Sequence, residues 1–163
     1  MPTTPNQLFA RFDALGIAVK TQEHGPAFTV EDAKALRGEI PGGHCKNLFL
    51  KDKKGQLWLV VALEEAQIDL KGLPAKIGAA RISFGKPELL MEVLGIAPGS
   101  VTPFALINDT ERRVNVVLDE GMMAHELVNY HPLCNTATTT IRSADLLAFI
   151  EACGHKPQIV AVS

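Results

Sequence analysis

The residues that could do chemistry cluster at the start of one predicted hairpin. His44, Cys45, Lys46 and Asn47 stand together between a pair of glycines and an apolar run. A cation at the end of a strand is well placed for chemistry, because the scaffold fixes its position. Lys46 could therefore bind a phosphate or stabilise a developing oxyanion, although a solvent-exposed lysine at a strand end fits the same pattern.

Two further segments carry groups that could assist such a cation. The loop containing Gly99, Ser100, Val101 and Thr102 offers backbone N–H groups that could donate to an anion or to a substrate carbonyl. The pattern alone favours a plain turn between a helix and a strand. His131, at the end of a predicted strand, could orient a substrate or hold a water, and a half-buried histidine bonded to the backbone is the more common arrangement.

Metal, thiol and nucleotide-cofactor chemistry are not expected. The zinc hypothesis would use His44, Cys45, His131 and Cys134, but the His-x-x-Cys spacing occurs once and no Cys-x-x-Cys supports it. Nothing identifies a base that would activate Cys45 as a nucleophile. Neither a Walker A motif nor a G-x-G-x-x-G motif is present. We therefore predict no metal and no cofactor.

Length and charge limit the classes of protein to which the chain can belong. Its 163 residues predict a single domain, residues 1–163, and the net charge of −2 argues against a general nucleic-acid coat. The net charge does not exclude a local basic patch, because Lys51, Lys53 and Lys54 lie together on the predicted hairpin turn. We expect no membrane span and no signal peptide, and three unclustered cysteines favour a reduced, cytoplasmic setting.

The elements that position these residues are short and mixed. The hairpin over 42–63 has its turn at 51–56 and a buried second strand. The pattern predicts helices over 6–15, 29–38, 69–77, 87–94 and 143–154, the last capped by Ser143. It predicts strands over 17–23, 81–84, 104–107, 114–118, 127–132, 136–141 and 158–162. Without regular βαβ alternation, this order predicts an α+β fold with a mixed, largely antiparallel sheet.

Three segments in this order resemble a known family. The KNLFL segment at 46–50, the Gly-x-x-x-Pro loop at 99–103 and the His-Pro-Leu segment at 131–133 resemble the YbaK/prolyl-tRNA editing domain family over residues 5 to 160. The form of the first segment and the length look most like its free-standing Ala-tRNA(Pro) deacylases. The resemblance implies an α/β fold with a curved mixed sheet. It also implies metal-independent hydrolysis of the ester between a wrong amino acid and the 3′-terminal adenosine of tRNA.

The resemblance also implies roles for particular residues. Lys46 would contact the terminal nucleotide and help to hold the ester, and residues 99–102 would supply backbone donors around the reacting carbonyl. Separately, because Lys51, Lys53 and Lys54 lie on the turn next to Lys46, we expect them to touch phosphates of the acceptor stem. By the resemblance His131 would shape the amino-acid pocket, and we further expect Phe28, Val30 and Asn47 among the substrate-binding residues.

The partners implied are the acceptor end of tRNA(Pro) and prolyl-tRNA synthetase, with no DNA and no membrane. A hydrolase that removes alanine from tRNA(Pro) is the favoured hypothesis. The alternatives are an editing hydrolase for Cys-tRNA or for Ser- and Thr-tRNA, and a non-catalytic module that binds tRNA or a synthetase. A zinc hydrolase built from cysteine and histidine would require bound metal.

Overall fold

The computed structural model describes residues 3–23 and 42–162. Three of the sequence predictions lie outside these ranges, namely the helix over 29–38 and the pocket residues Phe28 and Val30. They stay predictions.

Within the described ranges, the chain is organised around an eight-stranded mixed sheet. The strands are β1 (Lys20–Glu23), β2 (Gly43–Asp52), β3 (Leu57–Leu63), β4 (Ile82–Phe84), β5 (Val114–Asp119), β6 (Leu127–Tyr130), β7 (Ala137–Arg142) and β8 (Gln158–Val160). Their order is β1-β7-β6-β2-β3-β5-β8, and β4 pairs with β2 outside that path. The pairs β1–β7, β6–β7, β2–β3 and β2–β4 are antiparallel, and β2–β6, β3–β5 and β5–β8 are parallel. The predicted α+β class with a mixed, largely antiparallel sheet is confirmed.

Short helices cover the sheet. They are α1 (Pro5–Ala14), α2 (Leu73–Ile77), α3 (Pro87–Leu94), α4 (Glu120–Met123) and α5 (Ser143–Ala152), with 3₁₀ helices at Pro98–Ser100 and Pro103–Asn108. A capping box starts α1, because Thr4 and Gln7 exchange side-chain and backbone hydrogen bonds. The prediction that Ser143 caps α5 was wrong. Arg142 holds the N-cap position, and the Ser143 hydroxyl instead donates to the carbonyl of His125 at 2.7 Å.

β3 is the centre of the core. Alternate side chains of a strand point to opposite faces of the sheet. Leu57, Leu59 and Val61 belong to the larger cluster of buried residues, and Trp58 and Val60 belong to the smaller one. Both faces of β3 are therefore buried, as its continuous apolar sequence predicts.

One predicted strand is a helix in the structure. Residues 104–107 form part of the 3₁₀ helix Pro103–Asn108, which Thr102 caps by accepting a hydrogen bond from the Phe104 amide at 3.3 Å. Phe104, Ala105 and Leu106 are all buried in succession, so they show no alternation of exposure. A short apolar run without alternation does not distinguish a strand from a buried helical turn.

Candidate functional site

The candidate site lies where the sheet opens along one edge of β2. On the opposite edge, β3 pairs with Cys45–Lys51 without interruption. On the open edge, β6 pairs only with Gly43 and His44, and β4 pairs only with Leu50–Asp52. The strand segment between these two pairings, residues 45–49, has no strand beside it in the described chain. We call this space the β6–β4 gap.

Glycines allow both borders of the β6–β4 gap to form. A Cβ on Gly43 would lie 2.9 Å from the Leu63 side chain, at the border with β6. A Cβ on Gly85, which follows β4, would lie 2.4 Å from the ring of Phe49. Both close atoms belong to side chains, so a larger residue at either position would require the Leu63 side chain or the Phe49 ring to move. The two glycines therefore leave room for these side chains at the borders of the gap.

Lys46 points to one face of the sheet, where it makes one hydrogen bond to a residue in the described ranges. Its Nζ donates to the carbonyl oxygen of Ala66 at 2.5 Å, and the side chain is half-buried. Leu48 and Leu50, which share its face, pack in the smaller core. Lys46 lines a cleft of about 560 Å³ that also contains carboxylates, those of Glu64, Glu65 and Asp69. The ammonium group is thus fixed by a carbonyl in acidic surroundings.

Asn47 occupies the opposite face, between Cys45 and Phe49, which pack against the larger core. Its Oδ1 is buried and has no hydrogen-bond partner in the described ranges. Buried polar side-chain atoms nearly always have a partner in native structures. Asn47 therefore carries an unused hydrogen-bond acceptor on the face of the sheet that packs against the larger core.

The loop at 99–102 lies on the Asn47 face, away from Lys46. Val101 packs against the larger core, and a Cβ on Gly99 would come 3.9 Å from the amide nitrogen of Asn135 in the β6–β7 loop. The Ser100 amide donates to the Ala97 carbonyl at 2.9 Å and is thereby occupied. The exposed Gly99 amide has no acceptor in the described chain, since it lies in the first turn of a 3₁₀ helix. Of the predicted donors, Gly99 is thus available and Ser100 is not.

His131 is fixed at the end of β6. It is half-buried, and its Nδ1 lies 3.2 Å from the carbonyl oxygen of Ala137, to which it donates. This tautomer leaves Nε2 as a hydrogen-bond acceptor. His131 and Gly99 therefore lie on neighbouring loops. The Lys46 side chain lies on the opposite face of the sheet.

The three predicted tRNA-binding lysines surround a well-ordered turn. Lys51, Lys53 and Lys54 are exposed, and the buried carboxylate of Asp52 holds the turn between them. The Lys53 amide donates to the Arg81 carbonyl at 2.9 Å, which brings a further exposed cation beside the turn. The structure thus forms one basic patch from residues that lie about 30 positions apart in the sequence.

A second feature of this surface is exposed apolar area. The aromatic ring of Phe84 is 61% exposed on β4. Phe84, Lys51 and Lys86 line a groove of about 390 Å³, whose acidic members are Glu88 and Glu92. Sequence reasoning did not single out Phe84, because a short apolar strand gives no signal of exposure.

Cys45 is held as a neutral thiol. Burial raises its pKa to about 11, a hydrogen bond with Tyr130 lowers it in part, and the Sγ also donates to the Gly43 carbonyl at 3.6 Å. The thiolate is the nucleophilic form, and at neutral pH this site contains very little of it.

Among residues 3–23 and 42–162, no three His, Cys, Asp or Glu side chains are arranged to hold a metal ion. No helix in these ranges is long and apolar enough to cross a membrane.

Comparison with known proteins gives consistent relatives. The family model described as aminoacyl-tRNA editing domain matches residues 24–149. The prolyl-tRNA editing protein ProX of Acetoanaerobium sticklandii is 37% identical over 149 residues, which cover 91% of this chain and 91% of that protein. Prolyl-tRNA synthetase associated domain-containing protein 1 of Danio rerio is 39% identical over 149 residues, which cover 90% of this chain and 81% of that protein.

Solved structures show the same fold. One, described as a candidate trans-editing enzyme for prolyl tRNA synthetase, is similar with a TM-score of 0.74 at 19% identity. The alignment covers 100% of this chain and 99% of that chain. At this identity, the comparison supports the arrangement of strands and helices.

Proposed function

Since the chain belongs to the aminoacyl-tRNA editing domain family, we propose that it is an editing enzyme that hydrolyses Ala-tRNA(Pro) in trans. The resemblance found in the sequence is confirmed, and the coarser activity is deacylation of mischarged tRNA. The observation that carries the proposal is the similarity to ProX, which extends over 91% of both chains. The finer choices, alanine and tRNA(Pro), are developed below.

The chemistry needs positioning more than strong catalytic groups. An aminoacyl ester is already activated, so a held water and a few donors near the carbonyl accelerate its hydrolysis. We assign the Gly99 amide to the reacting carbonyl, because it is exposed and unoccupied. Lys46 would hold the terminal nucleotide and leave its bond to Ala66 to do so. Both assignments keep the roles that the sequence predicted.

Size is the basis of selectivity. A synthetase pocket for proline cannot strongly reject alanine, because the lost methylene groups are worth only about 1–3 kcal/mol. A second, smaller pocket can remove alanine and exclude the ring of proline, since overpacking costs about 1–3 kcal/mol. We place His131 in the wall of that pocket, where its bond to Ala137 fixes the imidazole. Phe28 and Val30 complete the proposed wall.

The proposed partners are the acceptor end of tRNA(Pro) and prolyl-tRNA synthetase. Lys51, Lys53 and Lys54 would contact acceptor-stem phosphates, and the neighbouring Arg81 adds charge to that patch. Three free cysteines fit a reduced, cytoplasmic setting, in which tRNA is charged and used.

A deacylation assay tests the proposal directly. Ala-, Ser-, Cys- and Pro-tRNA(Pro) would be incubated with the protein, and spontaneous hydrolysis of each ester would be subtracted. We expect fast release of alanine and survival of Pro-tRNA(Pro). Preference for cysteine or serine would overturn the alanine assignment but keep the editing class. Binding of tRNA without turnover of any ester would instead identify a non-catalytic module.

A further inference from the structure

The main chain of Asn47 faces the β6–β4 gap. In an antiparallel pair, residues that exchange hydrogen bonds with the partner strand alternate with residues whose backbone groups point away. The His44 carbonyl accepts from the Glu64 amide at 2.9 Å, and the Asp52 amide donates to the Gln56 carbonyl at 2.9 Å. Even-numbered residues of β2 therefore point their backbone groups toward β3. Asn47, an odd-numbered residue, points its N–H and C=O into the gap.

Asn47 lies in the middle of the gap. At one border, the Phe49 carbonyl accepts from the Gly85 amide at 2.9 Å. At the other, the Gly43 carbonyl accepts from the Asn129 side chain at 3.2 Å. Between them, no described strand pairs with the Asn47 backbone on this side, and its buried side-chain Oδ1 has no partner in the described chain. Backbone groups inside a sheet are nearly always paired, so a bound ligand is the natural partner.

We propose that the Asn47 main chain binds the aminoacyl group of the substrate, its carbonyl accepting from the α-ammonium group and its N–H donating to the ester carbonyl. The inference rests on the proposed function and adds a binding site for the α-ammonium and ester carbonyl groups, which all aminoacyl esters share. An aminoacyl ester presents a donor and an acceptor on adjacent atoms, as a residue of an added strand does. Extended ligands bind open sheet edges through this pair of hydrogen bonds.

Separate recognition of the backbone groups and of the side chain of the amino acid has a chemical consequence. The edge of β2 contacts only the α-ammonium and ester groups, so it requires a free amino group whatever the side chain. The pocket wall then selects the side chain by size. An ester whose α-amino group is replaced or acylated should be a poor substrate even when its side chain fits.

A substrate series tests the role of the α-ammonium group. tRNA(Pro) would be charged with alanyl, lactyl and isobutyryl groups, which carry NH₃⁺, OH and CH₃ at the same position. The kcat/KM of each would be divided by its spontaneous hydrolysis rate, because the ammonium group itself activates the ester. A charge-assisted hydrogen bond predicts a rate enhancement about tenfold to a hundredfold lower for the isobutyryl ester, with the lactyl ester between.

Two results of the substrate series would distinguish failure of this inference from failure of the proposed function. Equal enhancement of all three esters would overturn this inference and leave the proposed function standing. No acceleration of any ester would overturn the proposed function and the inference together.

A backbone change tests the same contact from the protein side. Replacing Leu48 by its α-hydroxy analogue turns the Asn47 carbonyl into an ester carbonyl, which is a weaker acceptor. The matched control replaces Leu50 in the same way, because both changes also remove an amide that points toward β3. We expect the alanyl-to-isobutyryl preference to fall several-fold with the change at Leu48 and to stay with the change at Leu50. An equal preference in both proteins would overturn the inference, and the wild-type substrate series stands if either protein fails to fold.

Discussion

The middle of β2 and the turn that follows it differ in how completely their polar groups are paired. At the turn, the buried carboxylate of Asp52 accepts from the amides of Lys54 and Gln56 at 2.9 Å each. It also accepts from the Trp58 indole at 3.2 Å and from the Ala80 amide at 3.3 Å. Five residues earlier, the buried Oδ1 of Asn47 has no partner in the described ranges, and no described strand pairs with its backbone on the side away from β3.

The difference separates stability from function along one strand. A buried carboxylate with four donors is costly to remove, because every donor then loses its acceptor inside the protein. A buried group without a partner instead costs folding free energy, and it is available to a ligand. We therefore expect changes at the turn to alter the free energy of unfolding and changes at the gap to alter catalysis.

The largest expected effect is on catalysis, at Lys46. Lys46→Ala should lower kcat/KM for Ala-tRNA(Pro) about 100-fold to 1000-fold, the range for loss of one preorganised electrostatic contact in an active site. Its urea midpoint should change little, because only the bond to the Ala66 carbonyl is lost. Single-turnover deacylation and urea unfolding measure the two quantities. A mutant with near wild-type turnover would remove Lys46 from the mechanism, and Lys46→Arg shows whether charge alone suffices.

The second effect is on stability, at Asp52. Asp52→Ala should lower the free energy of unfolding by about 2–4 kcal/mol, since four donors, including the buried Trp58 indole, lose their acceptor. The matched control is Asp69→Ala, an exposed aspartate that accepts one hydrogen bond, from the Lys71 amide at 3.1 Å. We expect the control to lose less than about 1 kcal/mol. Equal losses in the two proteins would contradict the comparison.

The same carboxylate gives the protein a predictable loss of stability in acid. Burial alone would raise the pKa of Asp52, but hydrogen bonds from Trp58, Gln56, Ala80 and Lys54 outweigh it and hold the pKa below its ordinary value. The stabilisation is therefore complete above the ordinary aspartate pKa and is lost as the pH falls through the lower, folded-state pKa. Urea midpoints measured between pH 3 and pH 6 should fall less steeply on acidification in Asp52→Ala than in wild type.

Selectivity should change next, at His131. His131→Ala enlarges the proposed pocket wall, so the rate ratio of Ala-tRNA(Pro) to Pro-tRNA(Pro) should fall by about tenfold. An exposed histidine provides the control, and His125→Ala should keep the wild-type ratio. The ratio of initial deacylation rates is the measurement. An unchanged ratio in His131→Ala would place the wall elsewhere.

Local signals allowed part of this molecule to be predicted from its sequence. The hairpin and α3 were predicted correctly, because apolar runs around a polar turn, an N-terminal proline and a C-terminal glycine act within a few residues. Residues 104–107 were wrong as a strand, since a fully buried run has no periodicity. The residues of the KNLFL segment were predicted as a site, and the structure adds the gap beside them.

The gap could not be predicted because long-range pairing creates it. It exists because β6 and β4, which lie about 80 and 35 residues further along the chain, each pair with only one end of β2. No local pattern says where such pairing stops. The separation of Lys46 from the Gly99 loop could not be predicted either, because it depends on the face of the sheet on which the loop packs, which is a long-range contact.

The smallest expected effect is on tRNA affinity, at the basic patch beside the turn. Lys51, Lys53 and Lys54 are exposed and flank Asp52, so their replacement by glutamine should leave folding unchanged. Each phosphate contact adds roughly 0.7–0.9 to the slope of log affinity against log salt. We therefore expect the triple variant to reduce that slope by about 2, and its affinity by about tenfold at low salt. The control replaces the exposed Lys71, Lys76 and Lys156 by glutamine, which changes the net charge equally. Binding of uncharged tRNA(Pro) would be titrated from 50 to 200 mM salt. Equal slopes for the two triple variants would show that the patch acts only through net charge, and the turn would then be structural alone.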